Sequence, residues 1–250
     1  VLTLLQLYLR YGWLRLRKGR LTLAERAEWL CAACTLVLRR LAISLSVQGP
    51  APQPGLIVSN HLSYLDILLY AAAAPCIFVS KTEVRRWPGF GRLAQYGGTI
   101  FIERGSRTSA AETAMEMEYA LRSGVTVVLF PEGTSTDGTT LLPFHSFLFE
   151  PAVEAESFVT AAALSYEAEG AEERDLCYYG DIRFAPHLLE TIGRKGVRGR
   201  IRFDSKPHVY GSRKQAANDA WERVARLRLR ANVETASESW GRTTLAGEAR

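Results

Sequence analysis

The segment Gly55-Leu56-Ile57-Val58-Ser59-Asn60-His61-Leu62-Ser63-Tyr64-Leu65-Asp66 decides the fold. Leu56-Ile57-Val58 is a short, unbroken apolar run of the kind that forms a buried strand, and an apolar helical pattern follows from about residue 64 to 73. The same order recurs downstream. Strands are expected at residues 76–79, 99–102, 125–130 and 158–164, and residues 200–203 alternate charge with apolar side chains as an edge strand does. A helix over 109–122 opens on a capping box of Ser109 and Glu112 and closes at Gly124. A last helix over 215–231 turns Ala217, Trp221, Val224 and Leu227 inward. This succession predicts an α/β fold, a mixed and mostly parallel sheet flanked by helices.

Upstream, Leu2, Leu5, Leu9, Trp13 and Leu16 recur at helical spacing among Arg10, Arg15, Arg17 and Lys18. After Gly19 the pattern resumes from Thr22 to about Leu45, with Leu23, Ala27, Leu30, Cys34, Val37 and Leu41 on one stripe. Both segments read as amphipathic helices, facing either a membrane interface or the core, and core packing suits the second. Residues 48–55, rich in Pro and Gly, form a stiff connector. The expected organisation is N-terminal helices over 1–48, one main domain over 49–231 and a polar tail over 232–250.

Composition narrows the function. The 250 residues are 47% hydrophobic and 23% charged, which excludes disorder, and one domain of this length buries a sizeable core. Four cysteines make no disulfide framework and suit a reducing compartment. No apolar run reaches the roughly 20 residues of a spanning helix. Residues 1–50 carry 8 Lys/Arg against 2 Asp/Glu, and residues 183–230 carry 13 against 4. Basic flanks interleaved with Leu, Trp and Tyr suit an anionic membrane surface; nucleic acid is not expected, because the aromatics form no stacking array.

Three stretches could carry chemistry. In the first, His61 precedes a helix whose first turn holds Asp66, so the carboxylate can accept from one imidazole nitrogen and leave the other as a base. Ser63 with Asp66 is also a capping-box pattern, which explains Asp66 without chemistry. In the second, Gly97-Gly98-Thr99-Ile100-Phe101-Ile102-Glu103-Arg104 delivers Arg104 at a strand end, where a guanidinium can grip a phosphate or simply pair with a neighbour. In the third, a core strand runs through Phe130-Pro131 and presents Glu132, Gly133, Thr134 and Ser135. Turn formation accounts for Pro and Gly, but an acid between them at the end of a core strand is less routine.

Other patterns carry little. Gly89-Phe-Gly91-Arg-Leu-Ala94 matches a loose dinucleotide fingerprint but follows no strand, and Cys31 and Cys34 have no second ligand pair, so no metal is expected. There is no Gly-x-Ser-x-Gly elbow, and His145, His187 and His208 read as structural.

Taken in order, the three blocks resemble the glycerolipid acyltransferases, specifically the lysophosphatidic acid acyltransferase family, over residues 55–143. The resemblance implies that His61 is the general base on a lysophospholipid hydroxyl and that Asp66 supports its imidazole. It further implies that Arg104 holds the acceptor phosphate, and that Glu132, Gly133 and Thr134 complete the acceptor site. The donor is then acyl-CoA or acyl carrier protein, with no metal or other cofactor, because a thioester is already activated. The expected setting is the cytoplasmic face of a membrane, reached peripherally or through an N-terminal anchor outside this chain. The chain departs from the family where residues 158–163 lack a proline, and where His145-Ser146-Phe147 replaces Lys and Gly after Pro143-Phe144. With Tyr179-Gly180-Asp181, these departures resemble bacterial relatives that acylate lyso-ornithine lipid. A membrane-binding relative without catalysis is the remaining alternative.

Overall fold

Strand β2 (Leu56–Ser59) lies at the centre of the molecule because all four of its residues are buried. The computed structural model describes residues 2–103 and 105–247, with the side chains at 107 and from 231 onward outside the description. The elements described are α1 (Leu2–Lys18), α2 (Leu23–Arg40), β1 (Ser44–Gln48), β2, α3 (Leu65–Ala73), β3 (Ile77–Lys81), α4 (Phe90–Tyr96), β4 (Ile100–Ile102), α5 (Arg107–Arg122), β5 (Val127–Leu129), α6 (Glu150–Glu154), β6 (Val159–Glu167), α7 (Phe184–Gly193), β7 (Arg198–Phe203) and α8 (Arg213–Gly247). The seven strands among the described residues form one sheet in the order β1-β7-β6-β2-β5-β3-β4. Every neighbouring pair is parallel except β6 and β7.

Alternation along β2 divides the core. Ile57 faces a cluster built with Leu30, Cys34 and Leu38 of α2 and Leu65 and Leu69 of α3. Leu56 and Val58 face the other cluster, with Met117 and Ala120 of α5 and Ala216 and Ala220 of α8. A close approach fixes how α3 crosses the sheet, since a Cβ at Gly199 of β7 would sit 2.2 Å from a Leu69 methyl.

The two N-terminal helices divide their labour. Helix α2 begins at a capping box in which Thr22 and Glu25 satisfy each other's backbone amides, and it buries Ala27, Trp29, Leu30, Ala33, Cys34 and Leu38. Helix α1 buries only Leu7 and Tyr11 and leaves Leu2, Leu5, Leu9, Trp13 and Leu16 exposed, Leu16 at 88%. No helix among the described residues is long and apolar enough to cross a membrane.

Several local expectations are corrected. The second helix stops at Arg40, and residues 44–48 form β1, which pairs with β7. Consequently β7 is an interior strand rather than an edge: Arg200 pairs with Glu167 at 3.0 Å, and Arg202 donates to the Gln48 side chain at 2.8 Å. Those partners, distant in sequence, let charge sit inside a sheet. Helix α5 starts one turn before the expected capping box, because Ser106 supplies the capping oxygen to the Ser109 amide and the Ser109 hydroxyl instead accepts from the Glu103 amide. Trp221 is partly exposed, its indole N–H donating to the Leu142 carbonyl at 3.1 Å. Helices α4 and α7 are additions to the expected pattern, and α8 continues through Gly247.

Candidate active site

The parallel strands β2 and β5 end side by side, and the loops leaving their carboxyl ends bring the first and third blocks together. Loops at this edge are where open α/β sheets bind ligands.

Asp66 sits in the first turn of α3 with no exposed surface. Its Oδ2 lies 2.6 Å from His61 Nδ1 and accepts the Leu62 amide at 2.8 Å. The Ser63 amide reaches both oxygens, at 3.1 and 3.2 Å, and the Tyr166 hydroxyl donates to Oδ1. The capping reading and the chemical reading therefore coexist: Asp66 receives the Ser63 backbone and the imidazole together, while the Ser63 hydroxyl is buried without a partner in the structure. A buried carboxylate without donors is costly, and this ring of donors compensates its desolvation. Since a carboxylate only accepts, Nδ1 carries the proton and Nε2 is left as the basic nitrogen.

The His61 backbone is pinned at both ends. Its N–H donates to Glu132 Oε1 at 2.8 Å, and its carbonyl accepts the Thr136 amide at 3.0 Å. The imidazole lies flat on the Phe130 ring, with centroids 4.3 Å apart. Glu132 is 4% exposed, and its second oxygen accepts the Leu142 amide at 2.8 Å. Burial pushes the Glu132 carboxyl above its usual range, against the pull of those two amides. Gly133, at φ +68, closes the turn by donating to the Phe130 carbonyl, a conformation that favours glycine. Thr134 is half-buried in the same loop, and the Ser135 hydroxyl donates to the Tyr178 carbonyl.

The structure thus brings His61, Asp66, Glu132, Gly133 and Thr134 into one loop cluster. Arg104 lies outside the described residues. Two contributors were not singled out from the sequence. Asn60 exchanges two side-chain hydrogen bonds with the Leu164 backbone, at 2.8 and 3.1 Å, tying the loop to β6. Tyr166 reaches Asp66 from the far end of the same strand. The available signal for Tyr166 was a phenol in a strand of mostly small or apolar residues, where a buried hydroxyl needs a partner.

Comparison with known proteins fits this geometry. A family model described as acyltransferase matches residues 43–165. The chain is 40% identical over 174 residues to a lyso-ornithine lipid O-acyltransferase of Pseudomonas aeruginosa, covering 69% of this chain and 65% of the relative. It is 35% identical over 170 residues to a 1-acyl-sn-glycerol-3-phosphate acyltransferase of Neisseria meningitidis, covering 67% of each. The chain belongs to the acyltransferase family. It spans about two thirds of the length of these curated relatives. Among solved structures, a 1-acyl-sn-glycerophosphate acyltransferase from Thermotoga maritima shares the acyltransferase fold at TM-score 0.60 and 20% identity, covering 92% of this chain and 95% of that one.

Proposed function

We propose that this acyltransferase-family chain moves a fatty acyl group from an acyl thioester to the free hydroxyl of a lysolipid, with 1-acylglycerol 3-phosphate the acceptor implied by its three blocks. The observation that carries the reading is the 2.6 Å contact between His61 Nδ1 and a fully buried Asp66, which reserves Nε2 for the acceptor proton.

In this reading Nε2 takes the hydroxyl proton as the oxygen attacks the thioester carbonyl. The new C–O bond forms, the C–S bond breaks, and the thiolate recovers the proton from the imidazolium. A positioned base contributes typically about 10²–10⁴-fold, and holding two substrates together contributes much of the remainder. The thioester supplies its own activation, so the scheme uses no metal or redox cofactor. Arg104 takes the acceptor phosphate, Gly133 and Thr134 line the acceptor site, and Glu132 serves it by fixing His61. Either acyl-CoA or acyl carrier protein serves as donor. The catalytic domain is taken as residues 49–231, with the chain working at the cytoplasmic face of a membrane.

Helix α1 supplies the membrane contact in this proposal, its exposed Leu2, Leu5, Leu9, Trp13 and Leu16 flanked by Arg10, Arg15 and Arg17.

A second acceptor, lyso-ornithine lipid, is favoured by His145-Ser146-Phe147 after Pro143-Phe144 and by the 40% identity to a relative of that name. One assay with both acceptors and labelled acyl-CoA, repeated with acyl carrier protein, tests the proposal. Transfer to lysophosphatidic acid in preference supports the primary reading, and preference for lyso-ornithine lipid selects the second. Transfer to neither, with either donor, rejects both.

A further inference from the structure

Strand β6 outlasts its neighbour. The last residue of β2, Ser59, aligns with Ala162, and β6 runs on to Glu167. The extra length forms a wall behind the His61–Asp66 loop. Two residues of that wall touch the loop: Leu164 through Asn60, and Tyr166 through Asp66. Tyr166 is 3% exposed and lies one residue beyond the stretch that matches the family model.

We propose that Tyr166 is a positioning residue of the reaction, its hydroxyl holding Asp66 Oδ1 so that Oδ2 meets the His61 imidazole in one fixed geometry. The inference rests on the acyl-transfer reading of His61.

Three observations support it. First, division of labour: the imidazole contacts Oδ2, whereas the Tyr166 hydroxyl contacts Oδ1, so the phenol, with the Leu62 and Ser63 amides, holds the carboxylate's rotation without competing for the histidine. Second, rigidity: the Tyr166 amide donates to Glu173 Oε1 at 2.8 Å, and Glu173 is clasped by both terminal nitrogens of Arg228 at 2.8 and 3.0 Å. Arg228 also donates to the Leu164 and Gly138 carbonyls, so α8 anchors the strand on which the phenol stands. Third, protonation: burial and the adjacent Asp66 carboxylate push the phenol well above its usual range, with Cys177 and Glu173 as the other titratable neighbours that act in the same direction. The hydroxyl therefore remains a donor across the working range of a histidine base.

An apolar filler would pack equally well as phenylalanine, so Tyr166→Phe separates the two roles. Removing the donor frees the carboxylate to rotate, which loosens and weakens the Nδ1–H bond to Asp66. The experiment is 15N NMR of the histidine rings in parent and Tyr166→Phe chains, with His61→Ala used for assignment among the four histidines. In parallel, kcat and KM for the acceptor are measured, with thermal midpoints as the control for folding. The expected result is an upfield move of the His61 Nδ1 resonance, and a kcat lower by about tenfold at little-changed KM, the scale of one hydrogen bond to a charged group. An unmoved or downfield-shifted resonance overturns the proposal whatever the activity. A moved resonance with unchanged kcat in an active chain overturns the role in the reaction. A moved resonance in a chain whose parent transfers no acyl group keeps the Tyr166–Asp66–His61 coupling and rejects the acyl-transfer reading instead.

Discussion

Glu132 accepts the backbone N–H of His61 across 71 residues of sequence, at 2.8 Å, and so joins the loop after β5 to the loop after β2. Its other oxygen holds the Leu142 amide, so a single buried carboxylate satisfies two loops that have no ladder between them. The geometry of the proposed base thus depends on a residue that need not touch the reacting atoms.

Replacing Glu132 with Gln puts an NH₂ group against one of those two amides and leaves it unsatisfied. The expected loss is about 1–3 kcal/mol. The pH dependence has a definite sign. The folded chain holds the Glu132 proton more tightly than the unfolded chain does, so its contribution favours folding at low pH. That contribution is lost as pH rises from the ordinary glutamate range through the raised native value. Denaturant midpoints of parent and Glu132→Gln taken across that range should therefore converge as pH rises.

Asp66→Asn keeps the shape and removes the charge. The amide no longer stabilises an imidazolium, and it has two donors to place among groups that already donate. We expect kcat to fall by about 10²–10⁴-fold. The acceptor KM changes little, because Asp66 is buried behind the histidine. Steady-state kinetics at saturating thioester checks both numbers.

Arg228 makes four hydrogen bonds around the end of β6, two of them to Glu173. Arg228→Met abandons two carbonyls and a carboxylate. Its expected cost is about 3 kcal/mol, the lower end for a buried pair, because Glu173 keeps part of its solvent contact. Adding Glu173→Leu recovers only part of that loss, since the Leu164 and Gly138 carbonyls and the Tyr166 amide still lack their partners. Urea unfolding of the single and double variants measures the difference.

In the proposed membrane contact of α1, two effects compete. Burying one leucine is worth about 1.5–3 kcal/mol, whereas a basic residue near an anionic surface is worth about 1 kcal/mol. The exposed apolar stripe therefore outweighs its arginines. Leu9→Glu with Leu16→Glu should abolish sedimentation with phosphatidylglycerol vesicles and barely move the thermal midpoint, since both side chains are exposed in the fold. Arg10→Gln with Arg17→Gln should weaken binding, more at low salt than at high salt.

What was legible in the sequence follows from range. The central strands were readable because Leu56-Ile57-Val58 and Val127-Val128-Leu129 declare burial on both faces within a few residues. The apolar stripe of α1 was equally plain. Strand β1 was missed because Ser44-Leu45-Ser46-Val47-Gln48 continues a helical-looking stripe, and only its pairing with β7 makes it a strand. That omission in turn made β7 look like an edge. At the site, the proximity of His61 to Asp66 was readable from a five-residue spacing across a strand-to-helix turn. The partnerships of Glu132 with His61 and of Tyr166 with Asp66 span 71 and 100 residues, and no local pattern encodes them. They exist because β2, β5 and β6 lie together in the sheet.

In the proposed reaction His61 is the base that drives acyl transfer. Its most direct test is the release of free thiol from acyl-CoA, dependent on a lysolipid acceptor, by the parent and by His61→Ala under identical micellar conditions. Acceptor-dependent thiol release is expected with the parent, and a fall of about 10²-fold or more with His61→Ala, at an unchanged thermal midpoint. Equal rates from the two chains would contradict it.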